Sequence, residues 1–208
     1  MKILSKSKLI IIIVVFLIFG AVFNISSKQQ FDLKELGKKN KEITNNLNKD
    51  KVIAEVNGIK IMNSDLEKQK NWYTAINREI TDEEILEELI STKLLYSTAI
   101  EQGVKASDEE VQEIFIMNMD AIKNDPINYQ IILDYIEGYG ITEEEYWNLA
   151  RKLYEESLII RRYKDSIEAK FITTTGIAKT DTEYSEKYSA YYSEHLAELK
   201  ENAKIKYK

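Results

Sequence analysis

Apolar positions along the chain fall into three regimes. The first is an unbroken apolar run from Leu9 to Phe19, extended by Gly20, Ala21, Val22 and Phe23 and closing at Ile25. From Ser26 to Asp50 the apolar residues thin to Phe31, Leu33, Leu36, Ile43 and Leu47 among Lys, Asn, Gln and Ser. Leu36, Ile43 and Leu47 share one narrow stripe, which allows a weak solvated helix but cannot fold alone, so residues 26–50 read as a spacer. At Lys51 the pattern changes again. Val52-Ile53-Ala54-Glu55-Val56 is a β-branched run, Asn57-Gly58 is a hairpin turn signal, and Ile59-Lys60-Ile61 alternates. The folded domain is therefore expected to span residues 51–208.

Beyond Ile61 the period becomes helical. Thr81-Asp82-Glu83-Glu84, Ser107-Asp108-Glu109-Glu110 and Thr142-Glu143-Glu144-Glu145 each place a hydroxyl before an acidic turn, with a glutamate three residues on. That spacing lets the hydroxyl cap free amides while the glutamate reaches back, and the acids suit the positive helix end. Ser64-Asp65-Leu66-Glu67 offers a fourth start of similar form. The Thr81 helix carries Ile85, Leu86, Leu89, Ile90, Leu94, Leu95, Ala99 and Ile100 before Gly103, a C-cap residue. The Ser107 helix carries Val111, Ile114, Phe115 and Ile122, and must end before Pro126. A short helix is expected over Asn128 to Glu137, stopped by Gly138-Tyr139-Gly140. The Thr142 helix, with Tyr146, Leu149, Leu153, Leu158, Ile159 and Ile167, runs to about Phe171, and roughly thirty residues span about 45 Å. After a break over Ile172 to Thr180, a last helix sets Tyr184, Tyr188, Tyr192, Leu196 and Leu199 on one face. Ala203 to Tyr207 alternates as an edge strand. Neither terminal strand is stable alone, so Val52–Val56 is expected to pair with Lys204–Tyr207 in a small two-stranded sheet. The fold class is mostly α.

Composition narrows the chemistry. The 208 residues include no Cys, one His, one Pro and seven Gly. A disulfide scaffold, a thiol nucleophile, a Cys-based zinc site and a multi-histidine metal centre are all excluded, and no cofactor is expected. The formal charge is −6, which speaks against nucleic acid as a partner.

The N-terminus sets the expected compartment. Lys2, Lys6 and Lys8 precede the apolar run, a charged region followed by a membrane-inserting segment. No A-x-A motif closes the run and no Cys offers a lipid attachment point, so Leu9 to Ile25 is expected to remain as a signal anchor. Residues 1–8 form a basic cytoplasmic tail, 9–25 a single transmembrane span, 26–50 the spacer and 51–208 the exported domain. Beyond residue 28 there are 25 basic and 35 acidic side chains, a net −10. Membrane attachment must then come from the anchor, because anionic headgroups repel the rest.

The order of parts resembles the chaperone module of the SurA/PrsA family of exported foldases. The residues that carry the resemblance are Val52 to Ile61, Ile85 to Val111, Tyr139 to Glu145 and the closing Leu199 to Tyr207. In such foldases a parvulin prolyl-isomerase domain usually sits between the long helix and the final helix. Here that interval is only Ile172 to Thr180, whereas a parvulin domain needs on the order of a hundred residues, and its pair of histidines cannot come from His195 alone. The lipid-bearing Cys of the PrsA branch is also missing. The resemblance implies a helical fold and a peptide-holding role, without isomerase activity.

His195 reads as a packed or half-exposed side chain and not as a catalytic one, with no partner placed beside it by sequence. Glu83-Glu84, Glu87-Glu88, Glu109-Glu110 and Glu143 to Glu145 read as helix-start acids and not as paired catalytic acids or calcium ligands. The 13 Tyr and 2 Trp are more suggestive, because such rings can be buried while their polar tips stay wet. A peptide-binding groove is expected between the Thr142 helix and the smaller helices, lined by some of Trp72, Tyr73, Met117, Met119, Tyr135, Tyr139 and Trp147. The expected function is a membrane-anchored, extracytoplasmic, non-catalytic chaperone for unfolded or newly exported polypeptides. The alternative is an adaptor or structural protein that binds one cell-envelope partner.

Overall fold

The structure, a computed structural model, describes residues 32–47 and 50–208. Its order is α1 (Leu33–Asn45), β1 (Val52–Val56), β2 (Ile59–Met62), α2 (Asn63–Ala75), α3 (Asp82–Glu101), α4 (Asp108–Lys123), α5 (Pro126–Tyr139), α6 (Glu143–Thr175), α7 (Tyr184–Asn202) and β3 (Ile205–Tyr207). The expected cytoplasmic tail and anchor, residues 1–8 and 9–25, lie outside the described residues. Among the described residues no helix is long and apolar enough to cross a membrane.

The three capping boxes form as the spacing predicts. Thr81, Ser107 and Thr142 accept from the amides of Glu84, Glu110 and Glu145, each at 3.2 Å, and those glutamates accept in return from the cap amides at 2.8 to 2.9 Å. The fourth start is shifted. Helix α2 begins at Asn63, where Asp65 accepts from the Met62 amide at 2.8 Å, while the Ser64 amide and hydroxyl both donate to Asp50. Helix α5 begins at Pro126, two residues early. Proline at the first helical position forfeits no bond, and Asp125 caps the Ile127 and Asn128 amides. Helix α6 runs four residues past the expected Phe171, to Thr175, where Gly176 at φ 74° turns the chain.

The expected pairing of terminal strands is present, with Ala54 opposite Tyr207 and Val56 opposite Ile205. Among the described residues the sheet has three strands and not two. Its order is β2-β1-β3, all antiparallel, because the hairpin also keeps β2 on β1.

The larger correction concerns residues 26–50. Residues 33–45 are no spacer but a helix docked in the fold, with Leu33, Leu36, Gly37 and Asn40 buried. Helix α1 crosses α5 at two glycines. A Cβ on Gly37 would sit 2.4 Å from the Tyr135 carbonyl oxygen, and one on Gly138 only 1.9 Å from that of Lys34. The near-touching backbones bury Leu33 and Leu36, while Ile43 and Leu47 of the same thin stripe stay half-buried. Asn40 then bonds the Tyr135 hydroxyl and the Asn71 side chain, each at 3.3 Å.

Helix α6 explains its length by serving two cores. Tyr146, Ala150 and Leu153 from its first half join β1, β2, α3 and α5 in the larger core. Ile159, Tyr163 and Ile167 pack with Leu95 and Ala99 in a second core, covered by Tyr191, Tyr192, Leu196 and Leu199 of α7.

Candidate functional site

Five of the seven residues expected to line a groove are core. Trp72, Tyr73, Tyr135, Tyr139 and Trp147 are each at most 7% exposed. Four of the five polar tips, those of Tyr73, Tyr135, Tyr139 and Trp147, find partners inside the protein. Tyr139 donates to Thr44 at 2.8 Å, Trp147 Nε1 to Glu143 at 2.8 Å, and Tyr73 to Glu88 at 2.5 Å. Tyr135 accepts from Asn40, and its full burial pushes the phenol pKa well up. An aromatic ring with a satisfied tip packs as well as leucine does, so tyrosine content alone does not mark a wet surface. Met119 is half-buried against the larger core, and Met117 is 62% exposed on α4.

A cleft does open along α6, but other residues build it. It lies between α3 and α6, with the end of α2 on one side and α7 on the other, and has a volume of about 560 Å³. Leu89, Leu95 and Leu153 line it from the core, Ile160, Tyr192 and Leu196 are half-buried beside them, and Tyr73 alone of the expected set borders it. Lys93 and Glu156 bridge α3 to α6 across it at 2.7 Å, with side chains 13% and 24% exposed. Lys164 lies 5.9 Å over the Tyr192 ring, and burial lowers its pKa while burial of the Tyr192 phenol pushes that group up to about 12. The cleft thus offers an apolar floor with a few fixed charges, suited to apolar side chains attached to a polar backbone.

Beside the cleft, α2 buries three polar side chains on one face. Among the described residues, Asp65 Oδ1, Lys68 Nζ and Gln69 Oε1 find no hydrogen-bond partner. Burial pushes the Lys68 pKa down to about 8, against the pull of Asp65 and Asp50. Burial likewise raises that of Asp65, opposed first by its bond from the Met62 amide.

His195 contacts Tyr163, its Nε2 lying 3.0 Å from the phenol oxygen, and burial lowers its pKa. Glu84, Glu110 and Glu145 stand in the capping boxes. Glu110 also pairs with Arg162 at 2.5 Å, and that bond first, then the Ser107 amide, brings its pKa down to about 2. Among the described residues no group of three or more His, Asp or Glu side chains is placed to hold a metal ion.

The sequence reading missed Ile160, Lys93 and Glu156 and assigned Leu89, Leu153, Tyr192 and Leu196 to core stripes. One signal was available. Ser91, Thr92 and Lys93 on α3, and Glu156 and Ser157 on α6, put polar groups beside the apolar stripes of the two helices that form the walls. No family model and no curated protein matches the chain.

Proposed function

We propose that this chain is a membrane-anchored extracytoplasmic protein that holds unfolded polypeptides without catalysis, using the α3/α6/α7 cleft. The observation that carries the reading is the cleft itself, a largely apolar seam of about 560 Å³ lined by Leu89, Leu153 and Ile160. Unfolded segments offer apolar side chains on an extended backbone, which such a seam can take up one or two at a time. The net −10 beyond residue 28 supports solubility of a protein with exposed apolar surface, since copies repel one another. The resemblance to SurA/PrsA foldases supports the same role. The link between α6 and α7, Gly176 to Glu183, is far too short for an isomerase domain. The lysine-flanked run Leu9 to Ile25 supports anchorage with the domain outside.

The adaptor reading draws on a different feature, the exposed apolar side chains Ile116, Met117 and Ile127 of α4 and α5. The two readings separate in one experiment, which measures aggregation of several unrelated unfolded clients with wild type, Ser157→Glu and Met117→Ser. Ser157→Glu adds a carboxylate directly beside Glu156 on the apolar side of the cleft, so it should abolish protection without lowering the melting temperature. Protection lost with Met117→Ser instead would refute the cleft as the holding site, and protection of only one client would refute the holding role in favour of the adaptor.

A further inference from the structure

Asn57 and Gly58 form the turn between β1 and β2 with φ of 49° and 86°, the left-handed geometry that a two-residue hairpin requires. They are the only Asn-Gly pair in the sequence. Asn57 is also the point where three parts of the fold meet. Its amide donates to the Lys204 carbonyl at 3.1 Å, and its Oδ1 accepts from the Lys204 amide at 3.0 Å, just ahead of β3. Its Nδ2 donates at 3.0 Å to Ser97 Oγ on α3, and Ser97 donates onward to the Leu94 carbonyl. Both ends of the side-chain amide are therefore tied to other elements. A Cβ on Gly58 would meet nothing within 4 Å, so no side chain crowds the glycine.

We propose that Asn57-Gly58 is a deamidation site held shut by the docked C-terminal segment. In the reaction, the Gly58 backbone nitrogen loses its proton to a solvent base and attacks Asn57 Cγ. The N–Cγ bond forms, the Cγ–Nδ2 bond breaks, and the amide nitrogen leaves as ammonia after taking a proton from water. Water then opens the resulting cyclic imide at either carbonyl, giving aspartate or isoaspartate at residue 57. Glycine favours the attack because it has no side chain to hinder ring closure. In the folded chain Cγ cannot turn onto the Gly58 nitrogen unless Oδ1 leaves Lys204 and Nδ2 leaves Ser97.

The isoaspartate product would not restore the fold. It adds one backbone atom to a two-residue turn and shortens the side chain by one carbon. The pairing of Val56 with Ile59 then loses its register, and residue 57 no longer reaches Lys204 or Ser97. Strand β3, only three residues long, loses the tie at its entry. Modification of the turn thus releases the C-terminal segment.

The test is incubation of the full chain at mildly alkaline pH, with peptide mapping by mass spectrometry to follow isoaspartate at residue 57. Lys204→Pro deletes the amide that bonds Oδ1, and Ala203, at φ −87° and ψ 154°, is already in the region that precedes proline. Ser97→Ala deletes the acceptor for Nδ2 and serves as the second variant. Each should speed conversion about threefold to tenfold, the population gained when one ordinary hydrogen bond is lost, and chain unfolded in urea should convert faster still. Converted protein should be clipped by trypsin after Lys204 and Lys206 sooner than unconverted protein. Wild-type rates in both variants, or native chain converting as fast as unfolded chain, would overturn the gating. No preference for Asn57 over other asparagines in the unfolded chain would overturn the site.

Discussion

Gly138→Ala sets two effects of opposite sign against each other. Gly138 lies within α5, where alanine is the better helix former by about 1 kcal/mol. The added methyl would lie 1.9, 2.7 and 3.0 Å from the carbonyl oxygen, carbonyl carbon and Cα of Lys34, all main-chain atoms of α1. No side chain can swing aside to make room. Ordinary contact begins near 3.4 Å, so α1 must retreat by about 1.5 Å. A shift that large lifts Leu33 and Leu36 out of their sites. Two leucines contribute about 3 to 6 kcal/mol when fully buried, so after the propensity gain the expected loss is about 2 to 5 kcal/mol. Asn40, with no exposed surface, would also lose its bonds to Tyr135 and Asn71, which adds to the loss. Urea denaturation with linear extrapolation measures the change, and hydrogen exchange across residues 33–45 locates it. Gly37→Ala, whose methyl would meet the Tyr135 oxygen and the Tyr139 nitrogen, should behave alike. A variant as stable as wild type, with the α1 amides still protected, would refute the close crossing of α1 and α5.

Thr142→Ala removes the cap of the longest helix and should lower stability by about 1 kcal/mol, read as a fall in melting temperature; an unchanged melt would mean that the α6 start is held by packing alone. Lys68→Met should raise stability at pH 7, because the cost of burying this cation outweighs the attraction that Asp65 and Asp50 return. The folded-state pKa of Lys68, about 8, lies below the ordinary 10.5, so between those values the unfolded chain binds the proton more tightly and wild-type stability rises with pH. The advantage of Lys68→Met should therefore shrink between pH 8 and pH 10, and urea melts that show it growing would reverse the assignment.

The sequence by itself determined the elements whose signals close within one turn of chain. A hydroxyl and a glutamate three residues apart satisfy helix-end amides without help from elsewhere, and all three boxes form where the spacing puts them. Asn57-Gly58 likewise fixes its hairpin through backbone preference alone, and the leftover strand at the C-terminus finds β1, whose other side the hairpin leaves open. Tertiary structure decided what depends on partners distant in sequence. Leu33 and Leu36 look like sparse apolar residues in a polar tract until Gly37 and Gly138 bring two backbones together and cover them. Tyr135, Tyr139 and Trp147 could have faced water or the core, and the choice fell to Asn40, Thr44 and Glu143, which supply their polar tips with partners inside. The cleft is the seam that α3 and α6 leave unfilled where Ser91, Thr92 and Ser157 replace larger apolar side chains, and an unfilled seam has no local signature. Hydrogen bonds at helix ends are settled over a few residues, whereas burial is a property of surfaces that meet only when the chain has folded.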